Sequence, residues 1–110
     1  MAGESDFRRL ALALAGTAHA PHFDRTAFKV IWTYATLAGD GLSANIKFTP
    51  DEQALKCTVA PDAFAPVPGG WGAQGWTTAK LAALTVPELA AALETAWKHA
   101  LARPRKRKPA

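Results

Sequence analysis

Over residues 43–48 polar and apolar side chains alternate, and the very next residues begin a helix. Ser43, Asn45 and Lys47 fall on one side of an extended chain, and Ala44, Ile46 and Phe48 on the other. That is the pattern of a strand with one wet and one buried face. Thr49-Pro50-Asp51-Glu52 follows directly. Thr49 and Glu52 have capping-box spacing, and Pro50 takes the first helical position, where its missing N–H costs nothing. A period that changes from two to 3.6 at one residue predicts a one-sided sheet covered by helices, an α+β arrangement.

The remaining elements fit that arrangement. Thr85 and Glu88 repeat the capping box, with Pro87 in the first turn. Behind them Val86, Leu89, Ala90, Leu93, Ala96, Trp97, Ala100 and Leu101 form one apolar stripe at helical spacing. Lys98, His99 and Arg103 lie toward the C-terminal end, where cations suit the helix dipole, and Pro104 stops the helix. A first helix is predicted over residues 5–15, with Phe7, Leu10 and Leu14 inward and Gly16 as its stop. The helix after Thr49 runs to about Cys57.

Residues 27–37 are rich in β-branched and aromatic side chains but long for one strand, so they read as two strands with a turn or bulge near Trp32-Thr33. A shorter strand over residues 17–23 precedes them and turns at Asp24-Arg25. Residues 61–75, with three prolines and four glycines, read as irregular. A last strand over residues 76–81 puts Trp76, Thr78 and Lys80 on one face and Ala79 and Leu81 on the other. The expectation is a single compact two-layer α+β domain over residues 1–102, an antiparallel sheet with helices packed on one face.

Charge is placed unevenly. Thirteen Lys and Arg face nine Asp and Glu, a net charge of +4. Five of those cations, Arg103, Arg105, Lys106, Arg107 and Lys108, lie in residues 103–110, so the remaining chain holds eight against nine, net −1. Residues 103–110 read as a basic, disordered tail kept non-helical by Pro104 and Pro109. Such a tail either contacts phosphate electrostatically or serves only as a solvated appendage. With 49% hydrophobic and 20% charged residues the composition is that of a globular protein. No apolar run reaches the roughly 18 residues of a membrane helix. Residues 1–14 carry Glu4 and Asp6 and lack a signal-peptide core, and Cys57 is a lone cysteine. These features point to a reducing, cytoplasmic setting.

Few residues are spaced for catalysis. Nothing in the sequence unites Cys57 with His19, His22 or His99 as a nucleophile and its base. His19, His22 and Asp24 do not make a closed metal site, because strand positions 19 and 22 point to opposite faces. The glycines at 69, 70, 72 and 75 lead into a strand, whereas a phosphate-binding loop opens a helix. No catalytic residue, metal or cofactor is therefore expected.

The aromatic and basic residues carry more. If the strands bearing Lys47 and Trp76 are neighbours, Trp76, Lys80 and Lys47 face solvent together, able to stack a base and meet phosphate. The competing reading has Trp76 closing a small secondary core beneath the glycine-rich loop. Trp71, between glycines, reads as an exposed contact residue, and Trp32 and Trp97 as core.

Several short segments together resemble the MmcQ/YjbR-like family. They are Ala27-Phe28-Lys29-Val30, Tyr34-Ala35 and Ile46-Lys47-Phe48-Thr49-Pro50-Asp51-Glu52, then Phe64, Gly75-Trp76, Leu81, Glu88-Leu89 and Trp97. The resemblance spans about residues 6–102 and departs from the family in lacking a glycine at the Trp32-Thr33 turn. It implies a compact two-layer domain similar to secretion chaperones and to a double-wing DNA-binding motif, and it lends family significance to Lys29, Lys47, Gly75 and Trp76. It supplies no catalytic residue. The expected function is a non-enzymatic DNA-binding module with weak, salt-sensitive, largely sequence-independent contact. Arg103, Arg105, Lys106, Arg107 and Lys108 would neutralise phosphates, and Lys29, Lys47, Lys80, Trp71 and Trp76 would position the domain. The alternative is a protein-interaction adapter whose exposed sheet or Trp71 loop holds a peptide or partner subunit.

Overall fold

The alternating segment forms the strand its pattern dictates. In a computed structural model that describes residues 1–104, Ser43–Lys47 is a strand with Ala44, Ile46 and the following Phe48 buried and Ser43, Asn45 and Lys47 on the opposite side. In chain order the elements are α1 (Glu4–Ala13), β1 (Ala18–His22), β2 (Arg25–Lys29), β3 (Thr33–Leu37) and β4 (Ser43–Lys47). Then come α2 (Pro50–Val59), β5 (Phe64–Pro66), α3 (Gly70–Ala73), β6 (Trp76–Lys80) and α4 (Val86–Ala102). The strands make one antiparallel sheet in the order β1-β2-β3-β4-β6-β5. From β4 the chain crosses through α2 to the far edge, and β6 returns between β4 and β5. Both edge strands carry a proline, Pro21 and Pro66, where a missing N–H interrupts no central ladder.

One irregularity sets which side chains enter the core. Phe28 pairs with Ala35 and Lys29 with Thr33, so Tyr34 is an extra residue, a β-bulge beside the predicted turn. Tyr34 and Ala35 are both fully buried on the helix side. The Tyr34 hydroxyl lies 2.8 Å from Thr17 Oγ1 and donates to the Ala11 carbonyl at 3.3 Å, closing the end of α1 over the sheet.

Both capping boxes form, Glu52 N–H to Thr49 Oγ1 and Glu88 N–H to Thr85 Oγ1 at 3.2 Å each. Helix α4 lays Leu89, Ala92, Leu93, Ala96 and Ala100 on the sheet, and the Trp97 indole donates to the Ala15 carbonyl at 2.9 Å. Full burial of a leucine such as Leu89 or Leu93 contributes about 1.5–3 kcal/mol, enough to fix the helix face. Residues 61–75 are more regular than their sequence suggests. They contain β5 and α3, which at three and four residues are too short to show a period. Among the described residues no helix is long and apolar enough to cross a membrane.

Candidate nucleic-acid interface

The helices cover one side of the sheet and leave the other open. Across that open side the register aligns Ala27, Thr36, Asn45, Thr78 and Ala65 on five successive strands. Lys47 lies directly opposite Trp76, and Ser43 opposite Lys80. The strands that the aromatic reading needed as neighbours are therefore paired. Alternation puts Arg25 and Lys29 of β2 on this side as well, beside Ala27.

Charge on the folded body is segregated by face. The six strands contain Arg25, Lys29, Lys47 and Lys80 and not one Asp or Glu; every acidic residue lies in a helix or a turn. A near-neutral average thus conceals a sheet face of one sign. Among the described residues the salt bridges join Arg8–Glu4, Arg9–Asp6, Lys98–Glu94 and His99–Glu52, and none draws on a strand cation. Lys29 and Lys80 are exposed.

At the centre of this face is a shallow cavity of about 360 Å³. Its polar floor is Thr33, Thr36 and Asn45, and its aromatic wall is Trp71 and Trp76. Arg25 spans it, donating from Nε to Thr36 Oγ1 at 2.8 Å and from Nη2 to the Thr36 carbonyl at 3.1 Å. Thr78 donates to Asn45 Oδ1 at 2.9 Å. Trp71, on α3, is 63% exposed, as a contact residue requires. Trp76 is half-buried and lines the cavity together with Val67. The glycine-rich loop is pinned by Gln53, whose amide donates to the carbonyls of Gly72 at 2.9 Å and Trp76 at 3.0 Å.

Not every predicted residue joins this face. Lys47 bends to the end of the sheet, where its ammonium donates to the carbonyls of Phe48 and Gln74. Burial, and then the charge of Arg103, pull its pKa down, against the opposing pull of Glu52. Arg103, counted with the tail from sequence, lies 3.9 Å over the Trp32 ring, and its carbonyl accepts from the Trp32 indole at 3.4 Å. Trp32 is accordingly half-buried at the core's margin. Arg105, Lys106, Arg107 and Lys108 lie outside the described residues. Sequence reasoning passed over Arg25 and His22, which line the cavity. The signal for Arg25 was present, since Arg25, Ala27 and Lys29 alternate with the buried Phe28.

The histidines and the cysteine stand apart from one another. His19 stacks on Phe28 and His22 meets Phe23 edge-on, on opposite sides of β1. His99 Nε2 is 2.5 Å from Glu52 Oε2. Cys57 packs against the core, and burial raises its thiol pKa, so the thiolate is scarcer than in an exposed cysteine. No three His, Cys, Asp or Glu side chains among the described residues are grouped to hold a metal.

Burial disfavours the charged form of Glu52, but the Thr49 N–H, the His99 ring and the Thr49 hydroxyl outweigh it, and the carboxyl titrates below its ordinary 4.5. A carboxylate depressed on folding adds stability above its unfolded pKa and loses it as the pH falls through the folded one. Glu52→Gln is therefore expected to flatten the fall of the urea midpoint between about pH 5 and pH 3. An unchanged profile would remove Glu52 as a source of acid lability.

The fold has a solved counterpart. The structure aligns with the Deinococcus radiodurans protein DR2400, a DUF419 domain of the YjbR/MmcQ-like fold, with a TM-score of 0.74. The alignment covers 88% of this chain and 77% of that one, at 20% sequence identity. No protein-family model and no curated protein matches the sequence. The fold is thus that of a DUF419 domain, and the two-layer α+β expectation holds.

Proposed function

We propose that the protein is a non-enzymatic nucleic-acid-binding module whose open sheet face takes a single strand, weakly and with little regard to sequence. Bases stack on Trp71 and Trp76, and phosphates meet Lys29, Lys80 and Arg25. The observation that carries this reading is the segregation of charge: Arg25, Lys29 and Lys80, three of the four strand cations, share the face that bears the tryptophans, and no strand holds an acid. Aromatic platforms flanked by cations are how sheet proteins hold unpaired strands, because every base has a stackable face and every nucleotide a phosphate. The basic residues after Pro104 add further phosphate contacts in this account.

Trp71→Ala tests the stacking. One base–aromatic contact is worth about 1–3 kcal/mol, so affinity for a labelled oligothymidylate is expected to fall roughly 5- to 150-fold. Trp71 is mostly exposed, so the urea midpoint should barely move. Unchanged affinity measured by fluorescence anisotropy would refute the stacking role.

A further inference from the structure

Among the described residues Phe23, in the turn between β1 and β2, is the one non-glycine residue with a positive φ, at +59°. That conformation strains a bulky side chain, whereas Gly, Asn or Asp takes it readily in a turn. The ring recovers nothing by burial, being 94% exposed, the most exposed of the large hydrophobic side chains. Its aromatic neighbour is His22, met edge-on with ring centres 4.9 Å apart. The backbone of the turn is nevertheless held, because the Asp24 carbonyl oxygen packs so closely on Gly39 that a Cβ there would lie 2.6 Å from it. The fold thus fixes the backbone of this tip and leaves the ring in water.

The tip adjoins the cavity of the open face. His22 pairs directly with Arg25, so both side chains lie on one side of the sheet, and both line the cavity. Phe23 follows at the end of that row. From Trp76 on β6 the row crosses β4, β3 and β2 to β1, four strand spacings or roughly 19 Å. A single strand laid from the tryptophans over Arg25 therefore arrives at an exposed aromatic ring. Asp24 beside it repels phosphate, so the contact available at the tip is with a base.

We propose that Phe23 is a second stacking platform for single-stranded nucleic acid, at the opposite end of the open face from Trp71 and Trp76, so that the nucleic acid runs across the β-strands and not along them. The proposal rests on the nucleic-acid reading of that face. Strain kept at an exposed tip has its place where the side chain serves a ligand and not the fold.

The test is Phe23→Asn, which removes the ring and suits the left-handed backbone. Its urea midpoint is expected to equal or exceed that of the unchanged chain, while affinity for labelled oligothymidylate, read by anisotropy, falls about fivefold or more. Phe23→Trp should retain the affinity. An abasic oligomer of the same length, which keeps the phosphates and lacks the bases, should bind both variants and the unchanged chain alike. A lower urea midpoint in Phe23→Asn would give the ring a role in folding, and unchanged oligothymidylate affinity would remove it from the strand's path. Either result overturns the proposal and leaves the roles of Trp71 and Trp76 standing. Concentration-dependent self-association that Phe23→Asn abolishes would assign the tip to a second copy of the chain and overturn it too. If the unchanged chain binds no oligothymidylate, the reading of the whole face falls with it.

Discussion

Gly75→Ala is expected to destabilise the protein by about 3 kcal/mol or more. Gly75 has φ +106°, a conformation that strains any residue with a Cβ. A Cβ at this position would lie 1.9 Å from the Phe48 carbonyl oxygen and 2.9 Å from its carbon, so backbone must move. Little movement is available. The Phe48 N–H donates to the Gly75 carbonyl at 3.1 Å, and the buried Thr77 hydroxyl donates to the same oxygen at 3.0 Å. Relieving the clash therefore pulls the start of β6 away from β4 and separates Trp76 from Lys47. Gly70 provides the contrast, since a Cβ there meets nothing within 4 Å. Gly70→Ala is expected to shift stability by less than about 0.5 kcal/mol. Urea unfolding of both variants checks the pair, and a loss below 1 kcal/mol for Gly75→Ala would contradict the close approach of β4 and β6.

Local signals made part of this fold legible. The alternation from Ser43 to Phe48, the boxes at Thr49 and Thr85 and the α4 stripe each act within a few residues, and each element formed where its pattern lay. Strand order is not local. Nothing near Phe64 announces that β5 takes the far edge while β6 slips between it and β4, yet that insertion sets Lys47 opposite Trp76. The bulge at Tyr34 is likewise decided by packing, through a hydroxyl that reaches Thr17 and the end of α1. Summing charges along the chain hid the most informative feature of the site. The body is near neutral in sum, yet its acids sit in helices and turns while its strands carry only cations. Arg103 clusters in sequence with the cations after Pro104, yet the end of α4 delivers it onto Trp32.

The double variant Lys29→Gln/Lys80→Gln is expected to weaken oligothymidylate binding about tenfold at low salt without destabilising the fold. Both side chains are exposed, and neither enters an ion pair among the described residues, so stability should hold. On a single strand each neutralised phosphate contributes about 0.7 to the log–log salt slope, so losing both lysines should flatten it by about 1.4. A contact made only by the residues after Pro104 would leave that slope untouched.

The most direct test of the account is a salt series of oligothymidylate anisotropy on a chain in which Arg105, Lys106, Arg107 and Lys108 are all glutamine. The account predicts that this chain still binds at low salt, and that adding Trp71→Ala or the Lys29/Lys80 pair weakens it further. Binding that vanishes with the four tail cations alone, at every salt concentration, would contradict it.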